Sequence, residues 1–275
     1  MSGIEASLIL LIAANTIISF KGFKDRNFFD TFLFDAEKVF RQNQLYRLFT
    51  SGFLHADWMH LGFNMIGLYT FGKIVGFDLT TIGFWLVYIG SLFFGNLLSL
   101  YIHRHDEEYS AVGASGAVSG VVFSQIIMHP ENEISLIIFP SLGIPAWIYG
   151  FAFIFISLYG IKNHNDNIGH DAHLGGAIAG VFLTLAMHPS VFKENTWTFF
   201  LVLFWLLIGL YFVTRFPDLL ALKKYNTLQS RTQHERNRPK TDEEELNELL
   251  DKIKEKGLNQ LTRKERKRLE DLSKK

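Results

Sequence analysis

Long apolar runs alternate with short polar stretches over the first 222 residues. Seven runs can be marked: Ser7–Phe20, Met59–Val75, Ile82–Tyr101, Gly113–Met128, Trp147–Ile161, His170–Met187 and Trp197–Phe216. A spanning helix needs roughly 20 mainly apolar residues, so the pattern predicts an all-α polytopic membrane protein with seven spans. The runs differ in kind. The last is apolar throughout, as a lipid-facing helix can be. The second, fourth and sixth carry Gly, Ala, Ser, His and Asn, which lipid does not favour. Gly116-x-x-x-Gly120 and Gly176-x-x-x-Gly180 have the spacing that lets helix backbones approach closely. The centre of the bundle is therefore expected from segments two, four and six. The connection from Lys21 to His55 sets Phe28, Phe29, Phe32, Phe34 and Phe40 among charges, so it is expected to fold back on the bundle at the membrane interface.

The pattern changes at Lys223. Residues 223–240 read as a polar linker and 241–275 as a small helical hairpin, leaving 1–222 as the membrane-embedded body. Thr241-x-x-Glu244 and Thr262-x-x-Glu265 are capping-box patterns, Gly257 is a candidate helix stop, and Leu246, Leu249, Leu250 and Ile253 make one apolar stripe, continued by Leu269 and Leu272. The whole chain has no net formal charge, yet 223–275 holds 16 of the 27 Lys+Arg and 11 of the 27 Asp+Glu, a net +5 (16 − 11). Acidic residues are interleaved with the basic ones, so neither nucleic acid nor anionic lipid is expected as the tail's partner. Cysteine is absent, which excludes disulfides, thiolate nucleophiles and Cys-based metal sites. The start, Met1–Ala6, lacks the basic region of a cleavable signal peptide, so the first segment is expected to be a retained span.

Three elements carry chemistry, and each has a bland reading. Ser115 stands in Gly113-Ala114-Ser115-Gly116, where small neighbours leave its hydroxyl accessible; alone this is a helix-packing patch. His173, in Ala172-His173-Leu174-Gly175-Gly176, can accept a proton from a serine near neutral pH; alone it is an interhelical hydrogen bond. His170, one turn earlier, offers a competing metal-ligand pair with His173, but no His-Glu-x-x-His pattern occurs in the chain. His60 and Asn64 lie four apart on one helical face, just after His55, and both can donate towards a developing oxyanion; alone they are interfacial polar residues. Together the three elements supply nucleophile, base and oxyanion donors, the minimum set for serine hydrolysis. No metal and no cofactor is expected.

From about Gln44 to His188 the chain resembles the rhomboid intramembrane proteases. The motifs are Tyr46-Arg47-Leu48-Phe49-Thr50-Ser51, His60-x-x-x-Asn64, Gly113-Ala114-Ser115-Gly116 and Ala172-His173-x-x-Gly176, in the family's order. The resemblance implies a six-helix core, here with a seventh span, and a Ser–His dyad without a third acid. In it Ser115 attacks the peptide carbonyl, and His173 is base and then acid. His60, Asn64 and the Ser115 backbone amide stabilise the oxyanion. It implies transmembrane protein substrates, the lipid bilayer as surroundings, and an integral multi-pass protein of a bacterial-type cell (inner) membrane. Two positions depart from the pattern. Tyr46 replaces a frequent Trp, and Ser119 replaces an aromatic that packs on the catalytic histidine, a task that Phe123 is expected to take over. A non-catalytic rhomboid-like client-binding protein is the alternative; such relatives generally lack the Ser or the His. An unrelated transporter or receptor is disfavoured by the near-absence of carboxylates and Lys within the spans. Family topology puts the amino terminus in the cytoplasm and the 21–55 loop outside. Lys21, Lys24, Arg26, Lys38, Arg41 and Arg47, and the basic tail, point the other way under the positive-inside tendency.

Overall fold

A computed structural model of the chain describes residues 2–136, 139–163, 169–215, 249–250, 252–253 and 262–273. Its elements in chain order are α1 (Gly3–Lys24), α2 (Arg26–Phe32), β1 (Phe34–Asp35), α3 (Ala36–Gln42), α4 (Arg47–Thr50), a 3₁₀ turn (Ser51–Phe53), α5 (Trp58–Asp78), α6 (Thr80–His103), β2 (Ser110–Ala111), α7 (Ser115–Met128), β3 (Glu133–Leu136), β4 (Phe139–Pro145), α8 (Ala146–Asn163), α9 (His170–Met187), α10 (Val191–Glu194), α11 (Thr196–Arg215) and α12 (Arg263–Ser273). Seven of these helices occupy the seven apolar runs. α1, α6 and α11 are by themselves long and apolar enough to cross a membrane. α7 is apolar but shorter, and α5 and α9 are diluted by the polar and small residues that face protein. The chain is an all-α polytopic membrane protein. It divides into two compact units, Met1–Ala221 and Leu222–Lys275.

The centre of the first unit is α7 and α9, with α6 as their closest companion. This differs from the expected grouping of segments two, four and six: α5 flanks α7, whereas α6 packs on both central helices. Within the apolar α6 run, Ser91, Gly95, Asn96 and Ser99 are buried along one face, a small-residue stripe that a mean-hydropathy reading hides. The contacts are backbone to backbone. A Cβ on Gly176 would fall onto the Gly116 carbonyl, one on Gly180 onto the Gly120 carbonyl, and one on Gly95 would stand 2.6 Å from the Ala172 carbonyl oxygen.

α5 and α7 run in the same direction. Their C-terminal ends are tied by the His129 ring, whose Nε2 lies 2.7 Å from Asp78 Oδ2. At ~1.5 Å per residue, α5 with 21 residues is about 31 Å long and α7 with 14 is about 21 Å. The N-terminus of α7, where Ser115 stands, is thus about 10 Å deeper than that of α5. The start of α1 sits at the far end of the bundle, since a Cβ on Gly76, near the end of α5, would meet the Ile4 side chain.

The 21–55 connection folds onto the bundle as short helices. Arg47 is buried, and its guanidinium donates to the carbonyls of Asp30 (3.0 Å) and Leu33 (2.6 Å) and to Gln44 Oε1 (2.7 Å). Asn96 of α6 holds the connection from the other side by donating to the Leu48 carbonyl at 2.8 Å. Tyr46 is largely exposed, so the anchor of the segment is Arg47. All six basic residues of the connection are engaged: Lys21 over Phe28, Lys24 over Phe20, Arg26 with Asp30, Lys38 with Asp35, Arg41 with Glu107 and Arg47 as above.

In the second unit, Leu249 and Leu272 are buried together, with Ile253 and Leu269 against them. Thr262 and Glu265 form the capping box that opens α12, and Lys252 reaches Glu265 at 2.6 Å. The expected linker, the Thr241–Glu244 cap and Gly257 lie outside the described residues.

The glycine contacts set a stability test. Gly176→Val should cost more than about 3 kcal/mol, since overpacking against backbone cannot be relieved by a rotamer change, and the detergent-solubilised variant should lose most of its folded yield. Gly62→Ala, where nothing lies within 4 Å of the new Cβ, should melt with the parent. Equal melting temperatures for the two variants would contradict the close α7–α9 contact.

Candidate active site

Ser115 is the first residue of α7, and the loop before it is held from three directions. Gly113 N–H donates to the Ser51 carbonyl at 3.0 Å, Ala114 N–H donates to His55 Nε2 at 3.4 Å, and β2 pairs with β1 through Phe34↔Ala111 and Asp35↔Ser110. Gly113 has φ +129°, a backbone conformation that only glycine adopts cheaply. The space its missing side chain leaves is occupied. A Cβ there would lie 2.8 Å from His60 Cε1 and Nε2 and 3.5 Å from Ser115 Oγ. So the His60 ring and the Ser115 hydroxyl flank one small volume over Gly113.

The hydrogen bonds fix the ring tautomers. Ser19 donates its hydroxyl to the Phe53 carbonyl at 3.0 Å, so it accepts from His55 Nδ1–H at 2.9 Å, and His55 Nε2 is left to accept from Ala114. His55 is therefore neutral, and burial pushes its pKa down to about 3. The His60 ring lies edge-on to it with centroids 5.0 Å apart. His60 Nδ1 accepts a long 3.5 Å bond from Ala56 N–H, which assigns the proton to Nε2. His60 Nε2 is buried with no hydrogen-bond partner among the described residues, and an unused buried donor is costly unless something else engages it. It faces the volume beside Ser115 Oγ.

Asn64 lies one turn deeper on the same face of α5, buried, at about the level of Ser115. One of its amide hydrogens goes to the His60 carbonyl at 2.9 Å, which leaves the second. The first-turn amides of α7, including that of Ser115, have no intrahelical acceptor and stand at the positive end of the helix dipole.

His173 is in the first turn of α9, and that turn lies against the first turn of α7: a Cβ on Gly116 would stand 3.2 Å from the Ala172 carbonyl oxygen. Ser115 and His173 thus sit on adjoining residues of two touching turns. Ser119 donates to the Ser115 carbonyl at 2.7 Å. The aromatic that packs on His173 is Phe153 of α8, with centroids 5.6 Å apart. Phe123 stands behind it, 5.8 Å from Phe153, so the expected role of Phe123 is indirect. Phe153 carried no signal in sequence, being one apolar residue in an apolar run. The His170 ring meets His173 edge-on at 5.2 Å, and among the described residues no three His, Asp or Glu side chains converge as a metal site.

The family model described as "Rhomboid domain" matches residues 42–190, and that described as "Family of unknown function (DUF6576)" matches 223–275. Similar curated proteins include "RHOMBOID-like protein 12, mitochondrial" of Arabidopsis thaliana, 28% identical over 209 residues (70% of this chain and 61% of that one). "Rhomboid protein 1, mitochondrial" of Saccharomyces cerevisiae is 31% identical over 148 residues (53% of this chain and 42% of that one). "Inactive rhomboid protein 1" of Drosophila melanogaster is 30% identical over 157 residues (57% of this chain and 10% of that one). The chain thus spans less than two thirds of the length of these relatives.

The neutral state of His55 predicts a pH slope. Its folded pKa lies below the usual 6.5, near 3, so its contribution to stability is complete above about pH 6.5 and is lost as pH falls from there towards 3. The Tm of the parent should drop through that window. His55→Gln should start lower at pH 7 and show a clearly flatter slope. Parallel slopes would show that His55 is not held neutral by this network.

Proposed function

Because the chain belongs to the rhomboid family, we propose that it is an intramembrane serine endopeptidase acting on transmembrane proteins. Ser115 Oγ attacks the scissile carbonyl while its proton passes to the His173 imidazole. The resulting oxyanion takes hydrogen bonds from His60 Nε2–H, the Ser115 amide and the free hydrogen of the Asn64 amide. The intermediate collapses as His173 returns the proton to the leaving amine, and water then releases the acyl group by the same route. The observation that carries this reading is the volume over Gly113, shared by the Ser115 hydroxyl and a buried ring N–H with no partner among the described residues.

The depth of Ser115 fits an intramembrane substrate. A helical segment must unwind before its carbonyl can be attacked, because its backbone groups are otherwise bonded internally. Ser115 lies toward the end of the bundle opposite the start of α1, so with a cytoplasmic amino terminus cleavage falls near the outer face. The bilayer is proposed to be a cell membrane of bacterial type; the organellar names belong to the relatives. The tail is proposed as a linker over 223–240 and a hairpin over 241–275. A non-catalytic client-binding role is the competing reading, since one relative is named inactive. Against it stands the presence of both Ser115 and His173.

Ser115→Ala and His173→Ala should each reduce cleavage of a reconstituted transmembrane substrate by about 10⁴-fold or more, because members of such a unit fail together. Undiminished turnover in Ser115→Ala would remove the protease reading. Asn64→Ala should lower kcat by no more than about 10²–10³ and leave KM nearly unchanged, as for a donor engaged only by the oxyanion. A destabilised variant with full activity per folded molecule would instead make Asn64 a structural residue.

A further inference from the structure

A second polar cluster lies outside the residues assigned above. Asp171, in the first turn of α9, is buried, with its side chain 5% exposed. It accepts the Tyr109 hydroxyl proton at 3.0 Å to Oδ1 and 3.3 Å to Oδ2. His103, the last residue of α6, stacks flat on the Tyr109 ring, with centroids 3.5 Å apart and planes within 2°. His103 Nε2 is 3.5 Å from Asp171 Oδ2. Tyr109 is also fixed through its backbone, its carbonyl accepting from Ala36 N–H at 3.1 Å, and its ring meets buried Phe34 edge-on at 6.0 Å. Burial, and then the Asp171 charge, hold the phenol well above its usual pKa, so it stays a donor.

Burying a carboxylate is costly unless it is paired and hydrogen-bonded. Here the cluster ties three pieces of chain together: the end of α6, the loop that leads to Ser115, and the turn that carries His173. Tyr109 lies four residues before Gly113, and Asp171 two residues before His173. Gly169, the residue before α9, continues the contact, since a Cβ there would lie 3.6 Å from Ala111 Cβ and 3.7 Å from the Tyr109 hydroxyl. The glycine contacts between α7 and α9 set how near the two helices lie. The ties to Ser51, His55 and β1 hold the loop to the α1–α5 side of the site, and the Tyr109–Asp171 hydrogen bond joins it directly to the first turn of α9.

We propose that Tyr109 and Asp171 are positioning residues for the reaction: their hydrogen bond, backed by His103, holds the Ser115 loop in register with the His173 turn. The proposal rests on the protease reading. Neither side chain touches the reacting atoms, so loss of the bond should lower kcat and the intrinsic reactivity of Ser115, with little effect on substrate affinity.

The test uses the full-length protein in detergent, with a fluorophosphonate as a probe of Ser115 and a transmembrane substrate for kcat and KM. Tyr109→Phe keeps the ring stack and removes only the hydroxyl. It should lower the labelling rate and kcat by about 10- to 100-fold, the range that a misplacement of ~1 Å can cost, with KM within about twofold. Asp171→Leu, similar in size but without an acceptor, should fall equally, and the double variant should be no worse than either single one. Asp171→Asn still offers an amide oxygen to the phenol and should retain at least about half of the rate; it also serves if Asp171→Leu does not fold. Unchanged labelling rates per folded molecule in Tyr109→Phe, even with a lower Tm, would overturn the proposal and leave the protease reading standing. An Asp171→Asn variant as slow as Tyr109→Phe would overturn it too. Absence of Ser115 labelling in the unmodified protein would overturn both.

Discussion

The arrangement of the bundle depends on the direct contact of two helix backbones. α7 and α9 meet where Gly116, Gly120, Gly176 and Gly180 carry no side chains, so that the Gly116 and Gly120 carbonyls sit where Cβ atoms on Gly176 and Gly180 would otherwise be. In lipid, apolar surface gains little by leaving one apolar neighbour for another, and van der Waals fit at small residues takes over as the cohesive term. The contact fixes more than stability. It brings the first turns of both helices together, and with them the residues after Gly113 and after Ala172. With its C-terminus tied to α5 by His129 and Asp78, the shorter α7 begins below the level at which α5 begins, and a loop must descend to it.

That loop is held by groups chosen for one protonation state. His55 uses one ring nitrogen as donor to Ser19 and the other as acceptor from Ala114. His60 follows with its accepting nitrogen towards Ala56 and its donating nitrogen over Gly113. Under the proposed reading, an uncharged donor suits a site that would bind an oxyanion only transiently, since a fixed cation at this depth would be expensive. The two histidines thus divide the work: one shapes the loop and the other keeps a ring N–H without a partner among the described residues.

The sequence made much of this legible, for identifiable reasons. Apolar runs located all seven long helices because a membrane span is a composition signal as much as a periodic one. Ser115, His60, Asn64 and His173 were visible because polar residues within such runs are conspicuous. The third central helix is the exception: the buried stripe from Ser91 to Ser99 lies in a run with no charged residue and no histidine, and His103 comes only at the end of the helix. Phe153 was hidden for the opposite reason, as an apolar residue with a specific contact. Asp171 and Tyr109 are 62 residues apart, and no local pattern joins them. The charge conflict in the 21–55 connection also has a physical reading. Counting its basic residues treats them as equivalent, whereas in the folded chain Arg47 is buried among carbonyls and Lys21 and Lys24 lie over aromatic rings, while Arg26 and Arg41 pair with carboxylates and stay largely exposed.

The central claim is that Ser115, His173 and the His60 ring N–H converge on one reacting centre above Gly113. A crystal structure of the protein carrying a phosphonate on Ser115 tests it most directly, because the phosphoryl oxygen occupies the place of the oxyanion. The account predicts that oxygen within hydrogen-bond distance of His60 Nε2 and the Ser115 amide, with the His173 imidazole beside the Ser115 oxygen. A phosphoryl oxygen directed away from His60, or a His173 ring out of reach of Ser115, would contradict it.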